Sequence, residues 1–152
     1  MPDHPTDPDC IFCKIIAGEI PCHKLYEDDR VLAFLDIGPL SAGHALVIPK
    51  GHYELISEVP PEVAAAMFKI VPGLSKAIMQ ATGALSWNLL QNNGGAAGQV
   101  VGHVHLHIIP RPAGDSRDAP IQGNGLPFGW PAGEVNHAEA GKLAQVIQAR
   151  LA

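Results

Sequence analysis

Three histidines, His103, His105 and His107, alternate with Val104, Leu106 and Ile108 in the run His103-Val104-His105-Leu106-His107-Ile108-Ile109-Pro110. Alternation with period two marks a strand, because successive side chains leave a pleated chain on opposite faces. On a strand the three imidazoles share one face, roughly 6.6 Å from one to the next. The three apolar residues then form an underside that can be buried. On a helix the same spacing scatters the imidazoles around the axis. Imidazole titrates near neutral pH, and it can attack phosphorus or pass on a proton. The row therefore reads as an active-site strand. A stripe of metal ligands and plain structural filler are the competing readings.

Upstream, Asn92-Asn93-Gly94-Gly95-Ala96-Ala97-Gly98 leads into Gln99. Glycines let backbone N–H groups approach an oxyanion closely, and successive N–H groups form an anion nest. Beside three aligned histidines, such a nest suits stabilisation of a phosphoryl group in transit. Lysine and arginine are scarce nearby, which suits one phosphoryl centre better than a polyanion. No GxxxxGK[ST] loop is present, so ordinary nucleoside-triphosphatase chemistry is not expected. A second constellation is Cys10-x-x-Cys13 with His52 and His103. By residue type alone, a single C-x-x-C fits zinc, redox chemistry or chance, and spacing does not assign distant histidines to it. No thioredoxin-like βαβ context surrounds it. Cys22 reads as a packed thiol.

These residues need elements to hold them. A chain of 152 residues with 47% hydrophobic content suits one domain with its own core. A loose tail over residues 1–9 and a single domain over 10–152 are expected. The formal net charge of −5 argues against nucleic-acid backbone as a partner. No apolar run approaches the roughly 20 residues that span a bilayer. No secretory signal is visible, and three cysteines do not make a disulfide framework, so a reduced cytoplasm is the economical location. Ile11, Phe12, Ile15 and Ile16 form a short amphipathic helical turn stopped by Gly18. Residues 23–26, 30–37, 44–49 and 85–91 read as strands, with the histidine run as a fifth. A main helix begins at Pro60-Pro61 and runs to Gly83, broken or kinked at Pro72-Gly73. Residues 112–135 are an irregular excursion, and 138–151 a closing helix. Strands that follow each other through short turns imply an α+β fold: a five-stranded, mainly antiparallel sheet with one long helix and a C-terminal helix.

With these residues in view, the chain resembles the histidine triad superfamily. The carrying residues are His103 to Ile109, Gly98-Gln99, Phe34-Leu35-Asp36-Ile37 and Gly43 to Lys50. The opening Cys10 to Pro21 looks like the bacterial protein kinase C-interacting-protein-like branch. The resemblance implies a homodimer that takes a purine nucleotide on its sheet, without an organic cofactor. It implies that His105 attacks the α-phosphorus of a nucleoside 5′-phosphoramidate or related conjugate. A covalent nucleotidyl-histidine forms, and water then releases the nucleoside monophosphate. His107 contacts the phosphate and helps protonate the leaving group, while His103 orients the site. Asn92, Gly98, Gln99 and the backbone of Val100 match phosphate-side positions, and Asp36 matches the carboxylate on the ribose. Phe12, Ile15, Phe34, Leu35 and Ile37 match the apolar walls of the base pocket, with core packing as their bland reading. Cys10, Cys13, His52 and His103 match a structural Zn2+ site of bacterial relatives.

Two positions depart from the pattern. Val100 stands where many eukaryotic relatives carry a serine or threonine, and Gly102 replaces a larger residue. Two other functions compete: a dinucleoside polyphosphate hydrolase, and a nucleotide-binding or interaction module with incidental turnover. Sparse basic residues near the motif count against the first.

Overall fold

The runs Val31–Leu35 and Ala45–Pro49 are apolar at every position, which suits strands covered on both faces. In the computed structural model, which describes residues 4–113 and 133–151, they form β2 and β3 inside a five-stranded sheet. The other strands are β1 (Lys24–Glu27), β4 (Ser86–Gln91) and β5 (Leu106–Arg111). The order is β1-β2-β3-β5-β4, with every neighbouring pair antiparallel. The α+β expectation holds.

Alternate residues of the central strands divide between two layers. Val31, Ala33, Leu35, Ala45 and Val47 join Val104, Leu106 and Ile108 on one face. There they meet three helices, α2 (Pro61–Lys69), α3 (Val71–Thr82) and α4 (His137–Leu151), through Met67, Leu74, Ile78 and Ile147. Leu32, Phe34, Leu46 and Ile48 turn to the other face and pack against Cys10 and against Phe12 of α1 (Ile11–Ile16). Full burial of a Leu, Ile or Phe side chain stabilises by about 1.5–3 kcal/mol, so both layers hold the sheet. The thinner layer, with α1, is the one that carries the site.

Three expectations shift. The helix break comes at Ile70, before Pro72 rather than at it. Proline at position 72 cannot donate to the carbonyl four residues back, so a new helix starts where Pro72 falls in its first turn and the missing N–H costs nothing. The histidine run is strand only from Leu106, and it continues past Pro110 to Arg111. His103, Val104 and His105 precede the ladder, and the Val104 amide donates instead to the Tyr53 carbonyl at 2.7 Å. Within the expected loose tail, the Pro5 carbonyl accepts from the His52 amide at 2.7 Å and the Asp7 carbonyl from the Cys10 amide at 3.2 Å. Most of the 112–135 excursion lies outside the described residues. Among those residues, no helix is long and apolar enough to cross a membrane.

Candidate active site and metal-ligand cluster

Hydrogen bonds to groups of fixed polarity assign the protons on the histidines. The His105 Nδ1 lies 2.7 Å from the His103 carbonyl. A carbonyl only accepts, so Nδ1 carries the proton and Nε2 keeps its lone pair. By the same logic His103 Nε2–H donates to the Pro49 carbonyl at 2.9 Å, leaving its Nδ1 as the acceptor. A fourth histidine, His44, completes the set. The Leu40 amide donates to His44 Nδ1 at 3.0 Å, so the His44 proton sits on Nε2, 3.0 Å from His107 Nδ1. His107 then carries its own proton on Nε2. The His105 and His107 rings are edge to face, 4.7 Å between centroids.

Burial keeps these rings neutral. His107 is held down to about 2, first by desolvation and then by the neighbouring His105 and His44. Burial likewise pushes His105 below its ordinary value, against the opposing pull of the His103 carbonyl and of Asp36. A neutral imidazole with an unprotonated Nε2 is a nucleophile, and a neutral imidazole with Nε2–H is a hydrogen-bond donor. The pair has both.

Both rings line a cavity of about 320 Å³ between α1 and the sheet. Phe12, Ile15, Phe34, Asp36, Ile37, Asn92, Gly98 and Val100 line it too. Leu35 and Gln99 do not. Leu35 alternates with Phe34 and therefore falls on the helical face, in the main core. The Gln99 side chain is already committed: its Oε1 accepts from the Gly94 amide at 2.6 Å, and its Nε2 donates to the carbonyls of Glu54 (2.7 Å) and Val101 (3.0 Å). It staples the glycine loop. That loop needs glycine at Gly94 and Gly98, whose φ angles are +88° and +94°. Cys22, expected as a packed thiol, is half-buried on the cavity wall with Ile20 and Pro21.

The row of three histidines is not uniform. The His103 ring, fully buried, faces the N-terminal cysteines: its Nδ1 is 3.4 Å from Cys10 Sγ and 3.6 Å from Cys13 Sγ. His52 Nδ1 is 3.5 Å from Cys13 Sγ, and its Nε2 is 3.8 Å from Asp7 Oδ2. The four ligand atoms of Cys10, Cys13, His52 and His103 lie within 4.8 Å of one another. Around a tetrahedral zinc, with about 2.3 Å to sulfur and about 2.05 Å to nitrogen, sulfur and nitrogen ligands stand about 3.5 Å apart. The observed spacings fit that edge. Asp36, His44 and His107 form another close group, yet their protons argue against a metal. The lone pair His44 would have to offer is occupied by the proton it shares with His107, and the Leu40 amide holds that tautomer. In the cysteine cluster the His103 Nδ1 lone pair carries no proton, and the thiols, Cys13 pushed up to about 11 by burial, would yield theirs to a metal.

An antiparallel α+β sheet with a histidine row beside an apolar cavity defines a histidine-triad protein. The chain belongs to the HIT family, whose domain matches residues 17–114. It is 44% identical to adenosine 5′-monophosphoramidase hnt1 of Schizosaccharomyces pombe over 142 residues, 93% of this chain and 98% of that protein. It is 63% identical to adenylylsulfatase HINT3 of Arabidopsis thaliana over 103 residues, 68% of this chain. That alignment spans 52% of the plant protein, about half its length. Among solved structures, a Zn-bound histidine triad family protein from Mycobacterium smegmatis superposes with a TM-score of 0.77 at 33% identity, covering 94% of this chain and 93% of that one.

Proposed function

We propose that the protein is a nucleotide hydrolase that attacks the α-phosphorus of nucleoside 5′-phosphoramidates and related conjugates, adenylyl sulfate among them. The observation that carries this reading is the His105 tautomer, whose unprotonated Nε2 belongs to a ring on the cavity wall. In the first step Nε2 forms a bond to phosphorus while the bond to the leaving nitrogen or sulfate oxygen breaks. An amine departs with a proton taken up from solvent while the Nε2–H of the neutral His107 donates a hydrogen bond at the departing atom, whereas sulfate departs as the anion. In the second step water attacks phosphorus, the histidine–phosphorus bond breaks, and the water proton passes to solvent, where it balances the one an amine took up and is released as a net proton when sulfate departs. Asn92 and the backbone N–H of Val100 serve the phosphoryl oxygens, while the Gly98 and Gln99 amides are spent on the Gly95 and Gly94 carbonyls within the loop. Asp36 takes the ribose, and Phe12, Ile15, Phe34 and Ile37 enclose a purine.

Trapping tests this directly. A substrate labelled at the α-phosphate should leave label on the wild-type protein in acid-labile, base-stable form, and none on His105→Ala, whose turnover falls by at least about 10³-fold. Wild-type turnover by His105→Ala would end the nucleophile assignment. Binding without turnover by the wild type would favour a nucleotide-binding module. A dinucleoside polyphosphate fits less well, since no lysine or arginine lines the cavity among the described residues.

Two further parts complete the reading. Cys10, Cys13, His52 and His103 hold a structural Zn2+ that ties α1 to the segment leading into β5; the donor spacing supports it, and metal analysis of fresh protein tests it. A homodimer forms through β4, an edge strand whose Trp87 and Leu89 remain exposed, as does Leu85 just before it. Sedimentation of wild type against Leu89→Asp tests the second point, with a dimer and a monomer expected.

A further inference from the structure

His103 belongs to two assemblies at once. Its ring Nδ1 lies within 3.4–3.6 Å of both cysteine sulfurs. Its main-chain carbonyl, 2.7 Å from His105 Nδ1, keeps the proton off the attacking nitrogen. The peptide that joins the two histidines lies ahead of the β5 ladder, so regular sheet pairing does not hold it. Its backbone tie is the Val104 amide on Tyr53, next to His52 of the same cluster. Phe12, between the two cysteines in sequence, stands edge-on to both rings, 5.8 Å from His103 and 5.2 Å from His105. The nucleophile is thus mounted on the metal-ligand cluster more than on the sheet.

We infer that His103 is a positioning residue, and that filling the Cys10–Cys13–His52–His103 cluster with metal aligns the His105 nucleophile through the His103 carbonyl. The physical basis is rigidity. A ring fixed by a metal on Nδ1 and by the Pro49 carbonyl on Nε2 leaves its own backbone little room to rotate, and outer contacts of this kind hold ligand geometry. With the cluster empty, Nδ1 keeps only its weak contacts with the cysteine sulfurs at 3.4 and 3.6 Å in place of a metal bond, and the carbonyl that selects the His105 tautomer gains freedom. The inference rests on the zinc and His105 readings above.

The test compares zinc-loaded wild type, Cys13→Ser, His103→Ala and the double variant, assayed well below each melting temperature. Zinc per chain, kcat and KM on adenosine 5′-phosphoramidate, and the ring ¹⁵N shifts of His105 at one fixed pH are read together. Expected are loss of zinc in every variant and a fall in kcat of about 10–100-fold with KM little changed. The ¹⁵N shifts should move from a pure Nδ1–H pattern to a tautomer mixture. The double variant should be no slower than the slower single, because both changes cut one link. Zinc lost with kcat and the ¹⁵N pattern unchanged overturns the inference while the zinc reading stands, and multiplicative losses in the double variant overturn the route through His103. A wild type without zinc overturns the metal reading and this inference with it, whereas an active His105→Ala overturns the nucleophile reading instead. Should Cys13→Ser not fold, removal of zinc from the wild type by a chelator and its return should produce and reverse the same loss.

Discussion

His44 Nε2 lies 3.0 Å from His107 Nδ1 in the buried heart of the site, and the Leu40 amide holds the far nitrogen of His44. Three groups therefore act as one chain that points the His107 Nε2–H at its target. Replacing His44 by alanine leaves the buried His107 Nδ1 without this donor, at about 1–3 kcal/mol for a buried polar group that loses its partner. Turnover of adenosine 5′-phosphoramidate should fall about 10–100-fold, by analogy with outer-shell partners of other histidines. The steady-state rate constant, with stability measured in parallel, checks both effects.

His44 also shows where sequence reading stopped. It looked like the first residue of a strand, and only the β3–β5 pairing, with Leu46 opposite His107, brings it to the triad. Such pairings are non-local, and one sequence carries no signal for them. The strands, the apolar underside of the histidine run and the C-terminal helix were legible because their periodicity is local. The resemblance put Phe34 and Leu35 on one pocket wall, although period two already sets neighbours on opposite faces, and the structure separates them. The turn of His103 toward Cys10 was expected from the resemblance alone, since residue spacing carries no signal for how α1 docks. The partners of the Gln99 side chain were not legible for a related reason, because its two ends meet Gly94 and Glu54, the latter 45 positions away.

The leaving group separates the roles of His105 and His107. An amine needs a proton to depart and sulfate does not, so His107→Asn should slow phosphoramidate hydrolysis about 10²-fold or more while slowing adenylyl sulfate hydrolysis far less. His105→Ala should abolish both. Parallel assays of the two substrates decide it, and equal losses in His107→Asn would mean that His107 serves the phosphate alone.

Buried neutral histidines make stability depend on pH in a definite sense. His107 binds its proton near 6.5 when unfolded and only at about 2 when folded. Between those values the unfolded chain holds more protons, so stability is full above pH 6.5 and falls as the pH drops. The slope approaches about 1.4 kcal/mol per pH unit for one such group. Urea unfolding at pH 7.5, 6 and 5 should give steadily lower midpoints, and a rising midpoint toward acid would contradict the burial of a neutral His107.

Gln99 should matter for binding through the loop it staples. Gln99→Glu keeps the acceptor for the Gly94 amide and loses the donor to the Glu54 and Val101 carbonyls, while Gln99→Ala loses both. KM for nucleotide should rise in the order wild type, Gln99→Glu, Gln99→Ala, and amide exchange at Gly94 should quicken most in the alanine variant. A large loss of kcat with no change in Gly94 exchange would instead mean that the side chain contacts the reacting group.

Phe34 and Leu35, adjacent on β2, should fail in different ways when cut to alanine. Phe34 lines the cavity and meets Phe12 edge to face at 5.6 Å between centroids, so Phe34→Ala removes a wall from the base pocket and loosens α1. Leu35 lies in the main core on the helical face, so Leu35→Ala opens a void there, worth about 2–5 kcal/mol of stability. Nucleotide affinity should drop clearly in Phe34→Ala and stay near wild type in Leu35→Ala wherever that variant is folded. Leu35→Ala should unfold at the lower urea concentration relative to its hydrophobic loss, because the void is closed in by strands and helices that cannot collapse. Equal losses of affinity would mean that both residues belong to the pocket, against the alternation of the strand.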